Sequence, residues 1–318
     1  MPERRRVSDE CCSTIQTHEQ RNRGVTMEIQ SVQQFLEHID GLKKRYTYVI
    51  PRQNFLSPEQ VIPPEFIYRG HSNHDKYKLL PGIFRWYKRE NGTYSTEFSP
   101  WEYNILFDFI SEACGVVKDI HTQEIVPWLE TAQHFGVPTR LLDFTGNPLV
   151  ALYFACIGSS GKNASVWIVN KSAYNRAFYG ELYSLNPAIS DSRVAKIITD
   201  EIINQNYQDH NNPAMFIQYP WIYKPFYRNE RMNTQSSVFM IWGANRGDFT
   251  SFLQPVHYME ENDNVTNQEI GILNHVIIPS NQKNALLKQL EMCGVNEKFI
   301  YPGLDGIGRY IRKKYSNK

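Results

Sequence analysis

The chain has 318 residues, of which 41% are hydrophobic and 13% aromatic, and its 34 basic and 33 acidic side chains leave a formal charge of +1. This length can bury the core of one large domain, and the balanced charge argues against a globally basic nucleic-acid binder. No run of about 18 apolar residues occurs, so neither a membrane span nor a membrane partner is expected. The five cysteines have neither disulfide-framework nor zinc-ligand spacing, which favours a reducing, cytoplasmic setting.

The N-terminal region divides at Met27. The first 26 residues carry an arginine triplet with no apolar segment behind it, unlike a secretory signal. We interpret residues 1–26 as a disordered leader, or as residues upstream of a true start at Met27. Ser31 and Gln34 have the spacing of a capping box, which predicts a helix from Ser31. Residues 27–318 are therefore expected to form one folded domain.

A short buried strand is predicted next. Its core is the aromatic and β-branched stretch 66–68, and it ends at Gly70. Arg69 then lies at a strand end and faces the cleft there, while pairing with a core carboxylate is its alternative role. Residues 71–75 contain two histidines and an aspartate. A polar turn after a strand explains them better than a metal site does, so no metal is predicted.

Two helices follow. Ser99, Pro100 and Glu102 combine an N-cap residue, a proline at the first position and an acidic N3 residue, which predicts a helix start. The apolar face of this helix is predicted to be Trp101, Ile105, Phe109 and Ala113. The second helix is predicted from residue 127 to residue 135. It should end at Gly136, because glycine accepts the left-handed conformation found after helix ends.

Residues 133–156 combine a helix end, a polar strand-like turn and a second helix start. Asn147 can accept a hydrogen bond from a first-turn N–H, and Pro148 needs no donor at the first helical position. The next eight residues are apolar all round, so this helix should be buried. Four polar residues separate the two helices: Thr139, Arg140, Asp143 and Thr145. We expect the functional site here, although an internal salt bridge between Arg140 and Asp143 that fixes the turn is the alternative.

The C-terminal half has fewer chemical signals. Its predicted elements are a strand at 165–169, an aromatic edge strand at 221–227, a core strand at 274–279 and a surface helix at 282–293. Residues 171–215 are polar and are interpreted as an insertion or lid. Arg231 and Gln235 lie at the polar start of a further strand. The basic run near the C terminus is typical of a solvated helix face that also suits the helix dipole.

Three separated segments resemble the FRG domain family, which is named for its Phe/Tyr-Arg-Gly signature. They are residues 66–70, residues 133–155, and Arg231 with Gln235 and Phe239. The Pro-Gly-Leu-Asp-Gly run at 302–306 resembles the C-terminal end of the family. The resemblance covers nearly the whole chain from Met27, but the family name describes a motif and not a reaction.

A weaker resemblance is to ADP-ribosyltransferases of the arginine-serine-glutamate type. In those enzymes an aromatic-Arg-Gly strand end contacts NAD, and a Ser/Thr-bearing strand that leads into an apolar helix braces the nicotinamide side. Residues 68–70 resemble the first element, and residues 141–154 resemble the second, with Thr145 in place of the serine. The catalytic glutamate of those enzymes has no counterpart here, and Gln235 stands at the comparable place.

The resemblance implies a nucleotide site. An arginine offers a planar fork of donors for a pyrophosphate, and the helix start at Asn147 adds unpaired N–H groups. Cleavage of the glycosidic bond passes through an oxocarbenium-like species, so a glutamine in place of glutamate would weaken catalysis or shift the task to Asp143. The expected catalytic residues are Arg69, Thr145 and Gln235. The expected ligand-binding residues are Arg69, Gly70, Arg140, Asp143 and Asn147.

Three hypotheses follow. The first is a single α+β domain with a central mixed or antiparallel sheet flanked by helices and an ADP-ribosyltransferase-like core, which uses NAD to modify a protein or nucleic-acid acceptor. The second is a non-catalytic domain that recognises nucleic acid or a nucleotide signal within a bacterial toxin or phage-defence system. The third makes the polar motif only a structural latch. The first predicts that five side chains converge on one cleft: Arg69, Arg140, Asp143, Thr145 and Gln235.

Overall fold

A seven-stranded mixed sheet lies at the centre of the computed structural model. The structure describes residues 27–50, 60–87, 98–179, 198–199, 202, 219–243, 245–253 and 271–316. The expected leader and most of the expected insertion therefore lie outside the described residues. None of the helices in the described ranges has the length and apolar character needed to span a membrane.

The strands of the described residues are β1 (Met27–Glu28), β2 (Tyr48–Ile50), β3 (Gln60–Ile62), β4 (Phe66–His71), β5 (Leu141–Thr145), β6 (Ala164–Asn170), β7 (Trp221–Tyr223), β8 (Ser237–Ile241) and β9 (Leu273–Ile278). The order in the large sheet is β1-β9-β6-β4-β5-β8-β7, and β2 pairs with β3 separately. Strand β1 runs parallel to β9, and the other neighbours in the large sheet are antiparallel. The mixed sheet of the expected α+β fold is confirmed.

The helices of the described residues are α1 (Val32–Tyr46), α2 (Gly82–Trp86), α3 (Phe98–Ala113), α4 (Ile125–His134), α5 (Pro148–Cys156), α6 (Lys171–Tyr179), α7 (Glu230–Thr234), α8 (Phe249–Phe252), α9 (Lys283–Met292), α10 (Glu297–Ile300) and α11 (Leu304–Ser316). The hydrophobic core has three parts. Helices α1, α5 and α9 pack on β4, β6 and β9. Helices α3 and α4 cover one face of β5 and β8, and α2, α6 and α8 cover the opposite face of the sheet.

Helix α5 confirms the predicted start at Asn147. The Asn147 side chain accepts a hydrogen bond from Leu149 N at 2.9 Å, and Pro148 occupies the first turn. The predicted end of α4 is also confirmed, because Gly136 follows it with a φ of 85°. At α1, Ser31 accepts from Gln34 N as predicted, but the Gln34 side chain accepts from Gln30 N instead of completing the box.

Helix α3 differs from its prediction. It begins at Phe98, and its most buried positions are Glu102, Leu106 and Ile110. The four residues predicted to form its apolar face are partly buried. The buried face of α3 is rotated relative to the predicted one because Glu102 has an ion-pair partner in the core. A prediction from apolar residues alone leaves out a buried charged residue.

Helix α5 lies unusually close to β4, and Gly70 makes this approach possible. A Cβ atom at Gly70 would lie 2.1 Å from the carbonyl oxygen of Ala151 and 2.5 Å from the backbone nitrogen of Ala155. Any side chain would therefore collide with the helix backbone. The glycine of the Arg-Gly signature sets the distance between helix and sheet, and this places α5 beside the end of β4.

Candidate functional site

The ladder between β4 and β5 is short. Tyr68 and Thr145 are the single residue pair in register between these strands, whereas β4 pairs with β6 along its whole length. A cavity of about 360 Å³ opens where the β4–β5 ladder ends, with α4 and α5 at its border. This volume lies at the lower end of the range for small-molecule sites.

The cavity contains side chains from five parts of the chain. Its polar lining is Arg69, His71, Ser72, Tyr77, Arg85, Glu130, Gln133, His134, Asp143, Thr145, Arg231, Gln235 and Ser237. Its apolar and aromatic lining includes Tyr68, Val150, Phe154 and Phe239. Polar and charged side chains thus outnumber the apolar ones, so the cavity is suited to a polar or charged ligand.

Arg69 spans the gap between the two strands. Its Nη1 atom donates a hydrogen bond to the backbone carbonyl of Asp143 and lies 3.9 Å from Asp143 Oδ2. The Arg69 side chain is 20% exposed, and that of Asp143 is 55% exposed. No described residue accepts a hydrogen bond from Arg69 Nη2. Burial lowers the pKa of the Arg69 guanidinium, but an arginine keeps its charge at neutral pH.

A chain of hydrogen bonds orients Asp143. Gln133 Nε2 donates to Asp143 Oδ2 at 2.7 Å. Thr139 Oγ1 donates in turn to Gln133 Oε1 at 2.8 Å. Thr139 thus holds Gln133, and Gln133 at the end of α4 holds the Asp143 carboxylate. Because this carboxylate faces Arg69, the guanidinium is preorganised as well.

His71 is a buried, neutral neighbour of Arg69. Its Nε2 atom lies 3.1 Å from Arg69 Nε, and its Nδ1 atom lies 3.1 Å from Trp167 Nε1. A neutral imidazole has one acceptor nitrogen, so it accepts from one of these donors at a time. Burial, reinforced by the charges of Arg69 and Arg85, lowers the pKa of His71 to about 3. The ring is therefore uncharged at neutral pH.

The charges of the cavity favour an anion. Three guanidinium groups line it, those of Arg69, Arg85 and Arg231. Asp143 is already paired with Arg69. Glu130 is 4% exposed, and burial raises its pKa to about 7, so much of it is neutral at physiological pH. The lining therefore carries a surplus of positive charge.

Glu130 itself stands on α4 one turn before His134. Tyr223 Oη donates a hydrogen bond to Glu130 Oε1 at 3.2 Å. Glu130 forms no ion pair with a described residue. A buried carboxyl group with a raised pKa that borders a cavity is a common feature of functional sites.

Thr145, Gln235 and Asn147 form a local hydrogen-bonded turn. Thr145 Oγ1 donates to the Gln235 carbonyl at 2.6 Å and accepts from Asn147 N at 2.9 Å. The Gln235 side chain donates to the Ile300 carbonyl at 3.0 Å. These bonds join the end of β5 to the start of β8 and to the C-terminal region, so the polar groups of Thr145 and Gln235 already have protein partners.

Arg140 points into the core and does not line the cavity. It is fully buried and forms a bidentate ion pair with Glu102, with Nε–Oε1 at 2.8 Å and Nη2–Oε2 at 2.5 Å. It also donates to the Trp242 carbonyl at 3.0 Å. The alternative of an internal salt bridge holds for Arg140, but its partner is Glu102 on α3 and not Asp143.

The structure therefore brings together five of the predicted residues: Arg69, Gly70, Asp143, Thr145 and Gln235. Arg140 and Asn147 do not line the cavity. The sequence interpretation missed Glu130, Arg85 and the burial of His71. For Glu130 a signal existed, because it lies four residues after the buried Val126 on the apolar face of a helix. Arg85 carries no comparable signal.

The described residues contain no group of three or more histidines, cysteines or carboxylates that could hold a metal ion.

Comparison with known proteins agrees with the motifs around this cavity. The family model of the FRG domain matches residues 64–164, which include β4, β5 and α5. Residues 64–164 therefore match the FRG domain, and this matched segment supplies Arg69, Glu130 and Asp143 to the cavity. No curated protein and no solved structure matches the chain.

Proposed function

We propose that the cavity between β4 and β5 binds a nucleotide-type ligand, with NAD as the first candidate, and that the protein transfers ADP-ribose to a protein or nucleic-acid acceptor. The observation that carries the proposal is the surplus of guanidinium groups, from Arg69, Arg85 and Arg231, around a cavity of about 360 Å³. Guanidinium groups match the geometry of phosphate oxygens and bind them through charge-assisted hydrogen bonds.

The state of Arg69 supports a phosphate-binding role. Its Nε and Nη1 atoms contact His71 and Asp143, so its position is set before a ligand arrives. Its Nη2 atom has no acceptor among the described residues. A donor that is held in place but lacks a full set of acceptors loses little conformational entropy when it binds an oxyanion.

The order of the elements supports NAD. Tyr68-Arg69-Gly70 lies in the second half of β4, and β5 lies beside it and leads directly into the buried helix α5. Among ADP-ribosyltransferases of the arginine-serine-glutamate type, the corresponding segments contact NAD and brace the nicotinamide. Phe154 and Tyr77 line the cavity and offer flat apolar surfaces for an aromatic ring.

The second candidate is non-catalytic recognition of nucleic acid or of a nucleotide signal, as in a toxin or phage-defence system. One observation favours it: the Thr145 hydroxyl and the Gln235 amide are both engaged by backbone carbonyl groups of the protein. The exposed basic residues of α11 offer a surface for a polyanion. They are Arg309, Arg312, Lys313 and Lys314.

One experiment separates the two. The purified protein is incubated with labelled NAD and with protein or nucleic-acid acceptors, and its affinity for ADP-ribose is measured by calorimetry. We expect nicotinamide release, label transfer and a measurable affinity. Arg69→Ala should weaken ADP-ribose binding about 10- to 100-fold, the effect of losing charge-assisted hydrogen bonds.

Two further variants keep the result interpretable. Arg85→Ala removes an exposed guanidinium of the cavity, and it should weaken binding without unfolding the protein. Arg45→Ala removes an exposed arginine of α1 that does not line the cavity, and it should change nothing. Binding without nicotinamide release would select the recognition candidate. Unchanged affinity in folded Arg69→Ala and Arg85→Ala would show that this cavity is not the nucleotide site.

A further inference from the structure

The ADP-ribosyltransferase resemblance leaves the site without its carboxylate, because Gln235 stands where those enzymes carry the catalytic glutamate. Gln235 is a neutral amide, and its side chain donates to the Ile300 carbonyl. Asp143 is the most exposed carboxylate of the cavity, but it already accepts from Gln133 and faces Arg69. A proton acceptor for the reaction must therefore come from elsewhere in the lining.

Glu130 meets the geometric requirements for that acceptor. It lines the same cavity as Arg69 and Asp143. It has one described hydrogen-bond donor, Tyr223 Oη, so its second oxygen has no described partner. Its backbone belongs to a helix that is packed in the core, where Trp128 and Leu129 are fully or almost fully buried. The carboxyl group is thus held on a rigid element, as a general base requires.

We propose that Glu130 is the general base of the transfer reaction, a role that rests on the proposed function. The oxygen or nitrogen atom of the acceptor forms a bond to C1′ of the ribose that carries nicotinamide. The glycosidic bond to nicotinamide breaks, and its electron pair stays on the ring nitrogen, which leaves as neutral nicotinamide. The acceptor proton passes to the Glu130 carboxylate. With water as acceptor, the products are ADP-ribose and nicotinamide.

The electrostatic surroundings suit this task. Burial raises the pKa of Glu130 to about 7, while the Tyr223 hydrogen bond and the charge of Arg228 oppose the rise. The other charged groups that line the cavity from β4, β5 and α7 are Arg69, Asp143 and Arg231. A base whose pKa is near the working pH combines a useful fraction of carboxylate with a real affinity for the proton.

Glu130→Gln tests the role, because it keeps the shape and the acceptor for Tyr223 but cannot take up a proton. We expect nicotinamide release from NAD to fall about 100-fold or more, while the affinity for ADP-ribose stays unchanged. The wild-type rate should rise with pH through an inflection near the pKa of about 7, since the carboxylate is the active form. Tyr223→Phe removes a hydrogen bond that stabilises the carboxylate, so the inflection should move to higher pH.

Controls separate this role from its competitors. Glu291→Gln changes an exposed glutamate of α9 that does not line the cavity, and it should leave rate and inflection unchanged. His134 is the other titratable side chain of α4 in the cavity, so His134→Gln should leave the inflection near pH 7 in place. A Glu130→Gln protein with wild-type rate and inflection would overturn the role of Glu130 alone. If the wild-type protein binds ADP-ribose but releases no nicotinamide, both the role of Glu130 as general base and the transfer reaction are overturned. If it binds neither NAD nor ADP-ribose, the nucleotide site is overturned as well.

Discussion

The guanidinium of Arg69 donates to the backbone carbonyl of Asp143 at the point where the ladder between β4 and β5 ends. The Asp143 carbonyl thus accepts its hydrogen bond from a side chain and not from a backbone N–H of the neighbouring strand. This bond also places the Asp143 carboxylate next to Arg69, with Oδ2 at 3.9 Å from Nη1. The early end of the β4–β5 ladder therefore both opens the cavity and leaves the Asp143 carbonyl free to hold the Arg69 guanidinium there.

Gly70 should tolerate no side chain. In Gly70→Ala the new methyl group would meet the backbone of α5 at 2.1 Å, so helix or strand must shift. We expect a loss of about 3 kcal/mol or more in the free energy of unfolding, measured by denaturant titration. Gly41→Ala is the matched control: nothing lies within 4 Å of a Cβ at Gly41 in α1, so this change should stabilise by about 0.5–1 kcal/mol. Equal effects of the two substitutions would contradict the packing explanation.

The ion pair between Arg140 and Glu102 should be structural. Arg140→Met leaves the Glu102 carboxylate buried without its partner, which should cost about 3–5 kcal/mol. The double variant Arg140→Met, Glu102→Leu removes both charges and should recover most of this loss. Its affinity for ADP-ribose should equal that of the wild type, because Arg140 does not line the cavity. Lys44→Met, which breaks an exposed pair with Asp40, should have no measurable effect on stability.

The Thr145 hydroxyl should act as a latch. Thr145→Val leaves the Gln235 carbonyl and the Asn147 N–H without this partner, and it should lower the free energy of unfolding by about 2 kcal/mol. Thr145→Ser keeps the hydroxyl and should be close to the wild type in stability. Thermal unfolding of both variants provides the measurement. A Thr145→Val protein as stable as Thr145→Ser would show that these hydrogen bonds do not hold the turn.

Glu130 should make the protein less stable as the pH rises. Its folded pKa of about 7 lies above the value of 4.5 expected for an unfolded glutamate. Its favourable contribution is therefore complete below pH 4.5 and is lost as the pH rises through 7. Glu130→Gln removes this dependence and should exceed the wild type by about 3 kcal/mol at pH 8.5, while the two converge near pH 4.5. Denaturant titrations across this range test the sign, and a wild-type advantage at pH 8.5 would contradict it.

This stability effect also bears on function. Glu130→Gln, the substitution expected to slow nicotinamide release, is also expected to stabilise the folded protein at alkaline pH. A residue that lowers stability where an isosteric replacement would raise it is typical of functional sites. If Glu130→Gln were both less active and less stable at pH 8.5, the lost activity could be attributed to unfolding, so both quantities are measured on the same preparation.

Local signals in the sequence predicted most elements correctly. The cap at Asn147 and the glycine at 136 marked the ends of α5 and α4, because capping and left-handed geometry depend on a few neighbouring residues. The strands at 66–70, 165–169 and 274–279 were predicted within one or two residues of β4, β6 and β9. Arg69 was predicted to face a cleft, and it lines the cavity, although β4 continues one residue past the predicted end at Gly70.

Contacts between distant segments were predicted less well. Arg140 and Asp143 are three positions apart in one strand-like stretch, and the choice of Asp143 as partner for Arg140 considered only nearby residues. The real partner of Arg140 lies 38 residues away on α3. Glu130 was missed although it lies on the apolar face of a helix, because the hydrogen-bond partner of its carboxyl group, Tyr223, lies 93 residues further along the chain.

Helix caps, strand cores, the Arg-Gly signature and the polar stretch that follows α4 can all be identified from short segments of the chain. Which of the polar groups meet depends on how the chain folds. The tertiary structure placed Arg69 against Asp143, turned Arg140 inward to Glu102 and set Glu130 at the cavity wall. The difference lies in the sequence separation of the interacting residues. A cap or a turn depends on neighbours within a few residues. An ion pair or a raised pKa depends on burial and on partners that only chain folding brings within a few ångströms.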